Sequence, residues 1–370
     1  MAMLHQAKQL VIKVGSSLLL DSNGEVNLAW LDAFAQDIAA LHAQGTRIII
    51  VTSGAVALGR TTLGHKKGIL KLEEKQAAAA CGQIKLVEAW QKSLGKHGIA
   101  IAQILLTIDD SEDRTRYLNA RNTLSTLLNH NIIPIINEND TVATAELRVG
   151  DNDRLSARVA QMVGADYLIL FSDIDGLYTK NPHQDKTAEF ISQVKDITPA
   201  IEAMAGSSSS GVGTGGMITK IEAAKIAVAA GCTMVIALGK NAHPLQTLLE
   251  TAHGTWFLAH SNPVNARKNW IMGAISPSGI LLVDKGAETA LRAGKSLLPA
   301  GILQVQGAFA QGDCLLVKNE AGQVIARGLV NYAAEEAERI RGQKSQAIES
   351  ILGYEGRHEI IHRDNLVLAG

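Results

Sequence analysis

The sequence predicts an α/β fold, a mostly parallel sheet sandwiched by helices, followed by a smaller, mainly β module. Two observations carry that expectation. Short, almost wholly apolar runs alternate with segments of helical spacing through the first two thirds of the chain. Beyond about residue 276 the runs shorten, and glycine punctuates them every ten residues or so.

The apolar runs are LVIKV at 10–14, IIIV at 48–51, IAIAQILL at 99–106, IIPII at 132–136, YLILF at 167–171 and MVIAL at 234–238. Each suits a strand buried on both faces, as in a parallel sheet covered by helices. Between the first two, Leu28, Leu31, Phe34, Ile38 and Leu41 fall on one helical face closed by Gly45. Ile84, Val87, Trp90 and Leu94 do the same before Gly98. The stretch HSNPVNARKNW reads as a connector. After it GILLVDKG, GILQVQGAF, DCLLVKN and QVIARGLV read as short strands, and AAEEAERIRGQKSQAIESILG as a helical stretch. The expected organisation is a domain over residues 1–260, a linker over 261–275 and a separate module over 276–370.

Composition removes several classes of function. A chain of 370 residues, 46% hydrophobic and 19% charged, suits roughly two globular domains, the larger able to enclose a site. With 35 basic against 36 acidic residues it has no overall bias toward polyanions. Cys81, Cys232 and Cys314 are far apart and lack metal-ligand spacing, which points to free or buried thiols in a reducing compartment. The apolar run near the amino terminus is too short for a signal peptide, and no segment reaches the ~18 apolar residues that span a bilayer. The expected location is cytoplasmic, with no membrane partner.

In a parallel α/β sheet ligands bind beyond the carboxyl ends of the strands. Those ends carry KVGSS (13–17), TSGAVALG (52–59), NENDTVAT (137–144), GDNDRLSA (150–157) and SDIDGLYT (172–179). Hydroxyls with glycine suit an anion or carboxylate. Taken alone each has a plainer reading: GDND is a helix cap, and SDIDG is a strand followed by an Asp-Gly turn. Residues 207–225, SSSSGVGTGGMITKIEAAK, satisfy G-x-G-x-x-G through Gly211, Gly213 and Gly216 but lack the preceding strand that a dinucleotide fold requires. Met217 stands where a P-loop needs lysine. Glycines that let backbone N–H groups approach an anion, followed by a helix, remain one reading, and a flexible connector the other.

The ordered set KVGSS, TSGA, NEND, GDND, SDIDGLYT and GTGGMITK resembles the amino acid kinase family, and within it the members that phosphorylate glutamate. The resemblance covers nearly the whole chain, with residues 276–370 similar to a PUA domain. It implies an amino acid kinase fold and transfer of the γ-phosphoryl of ATP, with Mg2+, to the side-chain carboxylate of L-glutamate, opening proline biosynthesis. It further implies inhibition by proline and assembly into a homo-oligomer, a dimer or tetramer. Lys13, Lys220 and Asp153 match the catalytic residues, the aspartate orienting the two lysines. Ser53, Asp140 and Asn152 match the substrate residues. Lys13, Ser172, Asp173 and the run Thr214, Gly215, Gly216, Met217, Ile218, Thr219 and Lys220 match the nucleotide residues. No direct protein ligand to the metal is assigned. Two departures stand out: the usual TGGMSTK is TGGMITK here, so any role of a hydroxyl at position 218 lapses, and the usual TD is Ser172-Asp173.

Other chemistries fit less well. A kinase of the same fold acting on aspartate, acetylglutamate or a nucleotide differs in substrate alone. RNA binding through the second module is poorly equipped: residues 277–370 carry 10 basic against 11 acidic side chains, with only Phe309, Tyr332 and Tyr354 as aromatics. A nucleic-acid partner is therefore not expected.

Overall fold

The computed structural model describes residues 4–65, 68–143, 151–182, 184–205, 216–266 and 277–369. The chain divides into two compact units, residues 1–263 and 264–370.

The first unit runs β1 (Gln9–Val14), α1 (Ser16–Leu19), α2 (Leu28–Ala43), β2 (Arg47–Thr52), α3 (Ala55–Arg60), α4 (Leu72–Gly95), β3 (Ile101–Leu106), α5 (Ile108–Glu112), α6 (Arg114–Asn129) and β4 (Ile133–Glu138). It continues with α7 (Asp151–Val163), β5 (Tyr167–Ser172), the short strands β6 (Leu177–Tyr178), β7 (Phe190–Ile191) and β8 (Gln193–Val194), then α8 (Pro199–Met204), α9 (Met217–Ala229), β9 (Thr233–Leu238), α10 (Pro244–Thr251) and β10 (Thr255–Phe257). Eight strands form one sheet in the order β3-β4-β2-β1-β5-β9-β10-β8. The first six are parallel to their neighbours, while β10 runs antiparallel to β9 and parallel to β8. The sheet is mostly parallel, as the uninterrupted apolar runs predict.

Alternation along the strands decides which helix meets which residue. Leu10, Ile12 and Val14 of β1 face a core shared with Leu31, Phe34, Ile38, Leu86, Trp90 and Leu245 of α2, α4 and α10. Val11 faces the opposite core, with Leu124, Leu155, Val159, Ile221 and Ala224 of α6, α7 and α9. Lys13 shares the parity of Val11, so its stem runs toward α7 and α9. That parity places the site.

Several local expectations need correction. Strand β4 continues through Asn137 and Glu138, both buried, so these belong to the sheet and not to the loop after it. Strand β3 is only partly covered, because it lies at the sheet edge. Ile84 is not on the inner face of α4: it is 73% exposed, and Ala78, Gly82, Gln83, Leu86 and Trp90 point inward instead. Gly59 and Gly82 cause this, since a Cβ on Gly82 would lie 1.8 Å from the Ala55 carbonyl oxygen and one on Gly59 as close to that of Ala78. Backbones of α3 and α4 therefore touch, and that contact fixes the rotation of α4.

The second unit is built on a five-stranded sheet, β12-β11-β13-β14-β15, of β11 (Gly279–Val283), β12 (Ile302–Gln306), β13 (Cys314–Lys318), β14 (Val324–Leu329) and β15 (Leu366–Leu368). It is mainly β, with a core of its own that includes Leu281, Val283, Leu315, Val317, Ile325 and Tyr332. A helix over Lys285–Arg292, capped by Asp284 through the Ala287 N–H, breaks the expected run of strands. The expected helical stretch near the end is two short helices, Ala334–Ile340 and Ile348–Leu352, interrupted at Gly342 with φ +73°. Most of the expected linker lies outside the described residues.

Candidate active site

The site is assembled at the carboxyl ends of β1, β2, β4 and β5 and the amino-terminal turns of α7 and α9. Lys13 is 8% exposed and Lys220 5%, low for lysines. Both are paired with one carboxylate. Lys13 Nζ lies 2.7 Å from Asp153 Oδ1, and Lys220 Nζ donates to Asp153 Oδ2 at 3.1 Å. Thr219 Oγ1 adds a hydrogen bond to Oδ2 at 2.8 Å. Asp153, the third residue of α7, is fully buried, so its side chain serves this cluster and not the cap that GDND suggests in isolation.

Burial pushes the Asp153 carboxyl up, yet the charges of Lys13 and Lys220, with hydrogen bonds from Lys13 and Thr219, outweigh it and hold the pKa at about 2. The carboxylate is therefore ionised at neutral pH. Two ammonium groups share it, which leaves the cluster with an excess positive charge beside the start of α9, where a helix points unpaired N–H groups outward. Such a cluster suits a polyphosphate.

A second cluster is polar and uncharged. Asn152 Nδ2 donates to Ser53 Oγ at 2.9 Å and to Asn137 Oδ1 at 3.1 Å, and Asn137 Nδ2 donates to Gln83 Oε1 at 2.8 Å. Gly54, at φ +111°, turns the chain from Ser53 directly into α3. Adjacent residues Asn152 and Asp153 thus serve different clusters from the same turn of α7. Asp140 is half-buried two residues beyond β4, and Asp173 is exposed one residue beyond β5, where it accepts from Ser172 Oγ at 3.1 Å. Gly216 caps α9, Met217 is half-buried and Ile218 is exposed, while Thr214 and Gly215 lie outside the described residues. Gln83 and Asn137 carry no assignment from sequence. The available signal for Gln83 is a polar residue among the alanines of the inner face of α4.

The sequence profile of the amino acid kinase family matches residues 8–238, and that of the PUA domain matches residues 279–352. The chain belongs to the amino acid kinase family. Among its relatives, the glutamate 5-kinase of Paramagnetospirillum magneticum is 58% identical over 371 residues, covering 100% of both chains. The glutamate 5-kinase of Agrobacterium fabrum is 57% identical, covering 98% of this chain and 93% of its own. Among solved structures, a UMP kinase from Bacillus anthracis aligns with a TM-score of 0.48 at 16% identity, over 69% of this chain and 97% of its own. The first unit of this amino acid kinase holds the lysine cluster, and the mainly β second unit is its PUA domain.

Proposed function

We propose that this amino acid kinase transfers the γ-phosphoryl group of ATP to the side-chain carboxylate of L-glutamate, giving L-glutamyl 5-phosphate in the first step of proline biosynthesis. Full-length identity of 58% to a protein named glutamate 5-kinase carries the reading. The lysine pair held by Asp153 supplies a matching chemistry.

In this reading the glutamate side-chain carboxylate attacks the γ-phosphorus; a carboxylate–phosphorus bond forms as the bond to the β,γ-bridging oxygen breaks, and ADP leaves. The attacking group is already ionised near pH 7, so no general base is needed. Lys13 and Lys220 meet the negative charge on the transferred group and the phosphates, and Asp153 holds them in place. Asp140 faces the substrate ammonium, Ser53 donates to a substrate carboxylate, and Asn152, whose Nδ2 is taken up by Ser53 and Asn137, offers Oδ1 to the ammonium. Ser172, Asp173 and the Thr214 to Lys220 run hold the nucleotide.

ATP-dependent phosphoryl transfer calls for a divalent cation, which neutralises phosphate charge when bound. Magnesium is the proposed ion. Asp153 is engaged by two ammonium groups and Thr219, and no cluster of three or more His, Cys, Asp or Glu side chains suited to a metal occurs among the described residues. That donor set fits an ion carried on the phosphate oxygens that keeps much of its water.

The same reading includes inhibition by proline, which shares the α-ammonium and α-carboxylate of glutamate, assembly into a dimer or tetramer, and a cytoplasmic location. No helix among the described residues is long and apolar enough to cross a membrane. The division into a catalytic domain (1–260), linker (261–275) and PUA domain (276–370) belongs to it as well. A panel of glutamate, aspartate, acetylglutamate and UMP with ADP detection tests the substrate: glutamate should turn over fastest, and faster turnover of any other acceptor would retire the assignment.

A further inference from the structure

The amides beside the lysine cluster form a chain whose orientation is fixed from one end. The Glu138 backbone N–H can only donate, and it donates to Asn137 Oδ1 at 2.9 Å. Asn137 must therefore turn its Nδ2 toward Gln83, which must answer with Oε1, at 2.8 Å. On the other side Asn137 Oδ1 receives Asn152 Nδ2. Two atoms are left over. Gln83 Nε2 and Asn152 Oδ1 are buried and have no hydrogen-bond partner among the described residues. Gln83 is 9% exposed, so its free donor is hidden in a place where an unmade hydrogen bond is costly.

One leftover donor and one leftover acceptor, on amides joined through a third, match a ligand that brings an anionic acceptor and a cationic donor together. An amino-acid zwitterion does so. The framework is also held firmly: Gly82 precedes Gln83 and lies against the Ala55 carbonyl, and Ala55 begins the helix that follows Ser53 and Gly54. The same backbone contact thus anchors both Gln83 and the hydroxyl to which Asn152 donates.

We propose that Gln83 is a positioning residue for the amino-acid substrate: it fixes the amide of Asn137 and, through it, presents Asn152 with its oxygen free for the substrate. The proposal rests on Asn152 and Ser53 being substrate residues, as in the reading above. Gln83 acts on the acceptor substrate and not on the nucleotide, because its hydrogen-bonded chain leads to Asn152 and Ser53, whereas Asp153 and the lysines form a separate cluster.

Steady-state kinetics of the full chain, with glutamate and ATP varied separately, test this in Gln83→Met, which loses both ends of the amide, and Gln83→Glu, which keeps an acceptor for Asn137 but loses the donor. Gln83→Met should raise the glutamate KM at least tenfold, while Gln83→Glu, whose carboxylate still accepts from Asn137, should raise it less than threefold, with the ATP KM and the kcat at saturating glutamate within threefold of the parent in both. A purely structural role would lower the melting temperature and leave the glutamate KM unmoved, and that result overturns the proposal. If Gln83→Met does not fold, Gln83→Ser, too short to reach Asn137, takes its place with the same expected rise. In an Asn152→Ala background Gln83→Met should add less than threefold to the glutamate KM; a full tenfold there would show that Gln83 does not act through Asn152. If the parent prefers another amino-acid acceptor, the same comparison with that acceptor separates a wrong substrate from a wrong role for Gln83.

Discussion

In the proposed mechanism Asp153 and its two lysines set the chemistry, one residue at a time. A lysine in the middle of an apolar strand is costly unless its ammonium finds a partner. Lys13 finds one because strand parity directs it to α7. Replacing Lys220 by methionine keeps approximate length and removes one of the charges proposed to meet the transferred group. Loss of one such donor commonly costs about 2.7–4 kcal/mol, so kcat should fall roughly a hundred- to a thousandfold. Turnover within threefold of the parent would remove Lys220 from the catalytic step. The carboxylate makes a separate prediction. Its folded pKa of about 2 lies below the ordinary 3.8, so the unfolded chain binds the proton more readily between those values. The stability it contributes, about 2 kcal/mol, is present above roughly pH 4 and is lost as pH falls through about 2. Urea unfolding of the parent and Asp153→Asn should therefore differ most near neutrality and converge toward pH 2; a gap constant with pH would show that the carboxylate charge is not what matters.

At the scale of the element, the contact between α3 and α4 does the positioning. Small residues on both helices let their backbones meet, and the loop carrying Ser53 and the side chain of Gln83 are registered against each other. Gly82→Ala would drive a Cβ into the Ala55 carbonyl oxygen, which cannot move without its helix. Overpacking of this kind costs about 1–3 kcal/mol. The melting temperature should fall, whereas Gly95→Ala, at the end of the same helix with nothing within 4 Å of the new Cβ, should leave it unchanged or raise it. Equal behaviour of the two variants would show that the helices are not in backbone contact.

This element also marks the limits of sequence reading. Strands β1, β2, β4, β5 and β9 were legible because burial on both faces writes a continuous apolar run. The pairs and triplets of residues in β6, β7, β8 and β10 are too short to write any period. Ile84 misleads because helical spacing reveals an apolar face only when the neighbour is a sheet of ordinary side chains; here two glycines turn the face. Asp153 reads locally as a cap, and only the fold brings Lys13, 140 positions away, to it. The ordered motifs brought Ser53 and Asn152 forward together, and they are hydrogen-bonded. Gln83 stayed hidden because a single amide inside a helix carries no local signature of its partners, and Asn137, although within the NEND motif, drew no role of its own.

For the whole molecule the question is what the PUA domain contributes. Among the described residues its apolar core draws on positions beyond 280, and the two cores that flank the large sheet draw on positions before 260. Units with separate cores can often fold separately. A chain ending at residue 275 should therefore fold and retain measurable kinase activity, read by ADP release and circular dichroism. An insoluble or inactive fragment would mean that the second unit is required for the first.

The proposed chemistry forms an acyl phosphate on glutamate, and hydroxylamine traps that product directly. Incubation of the full chain with ATP, magnesium, L-glutamate and hydroxylamine should yield γ-glutamyl hydroxamate, with formation requiring both ATP and glutamate and lost in Lys220→Met. ADP release without hydroxamate, or hydroxamate formed from aspartate in preference to glutamate, would contradict it.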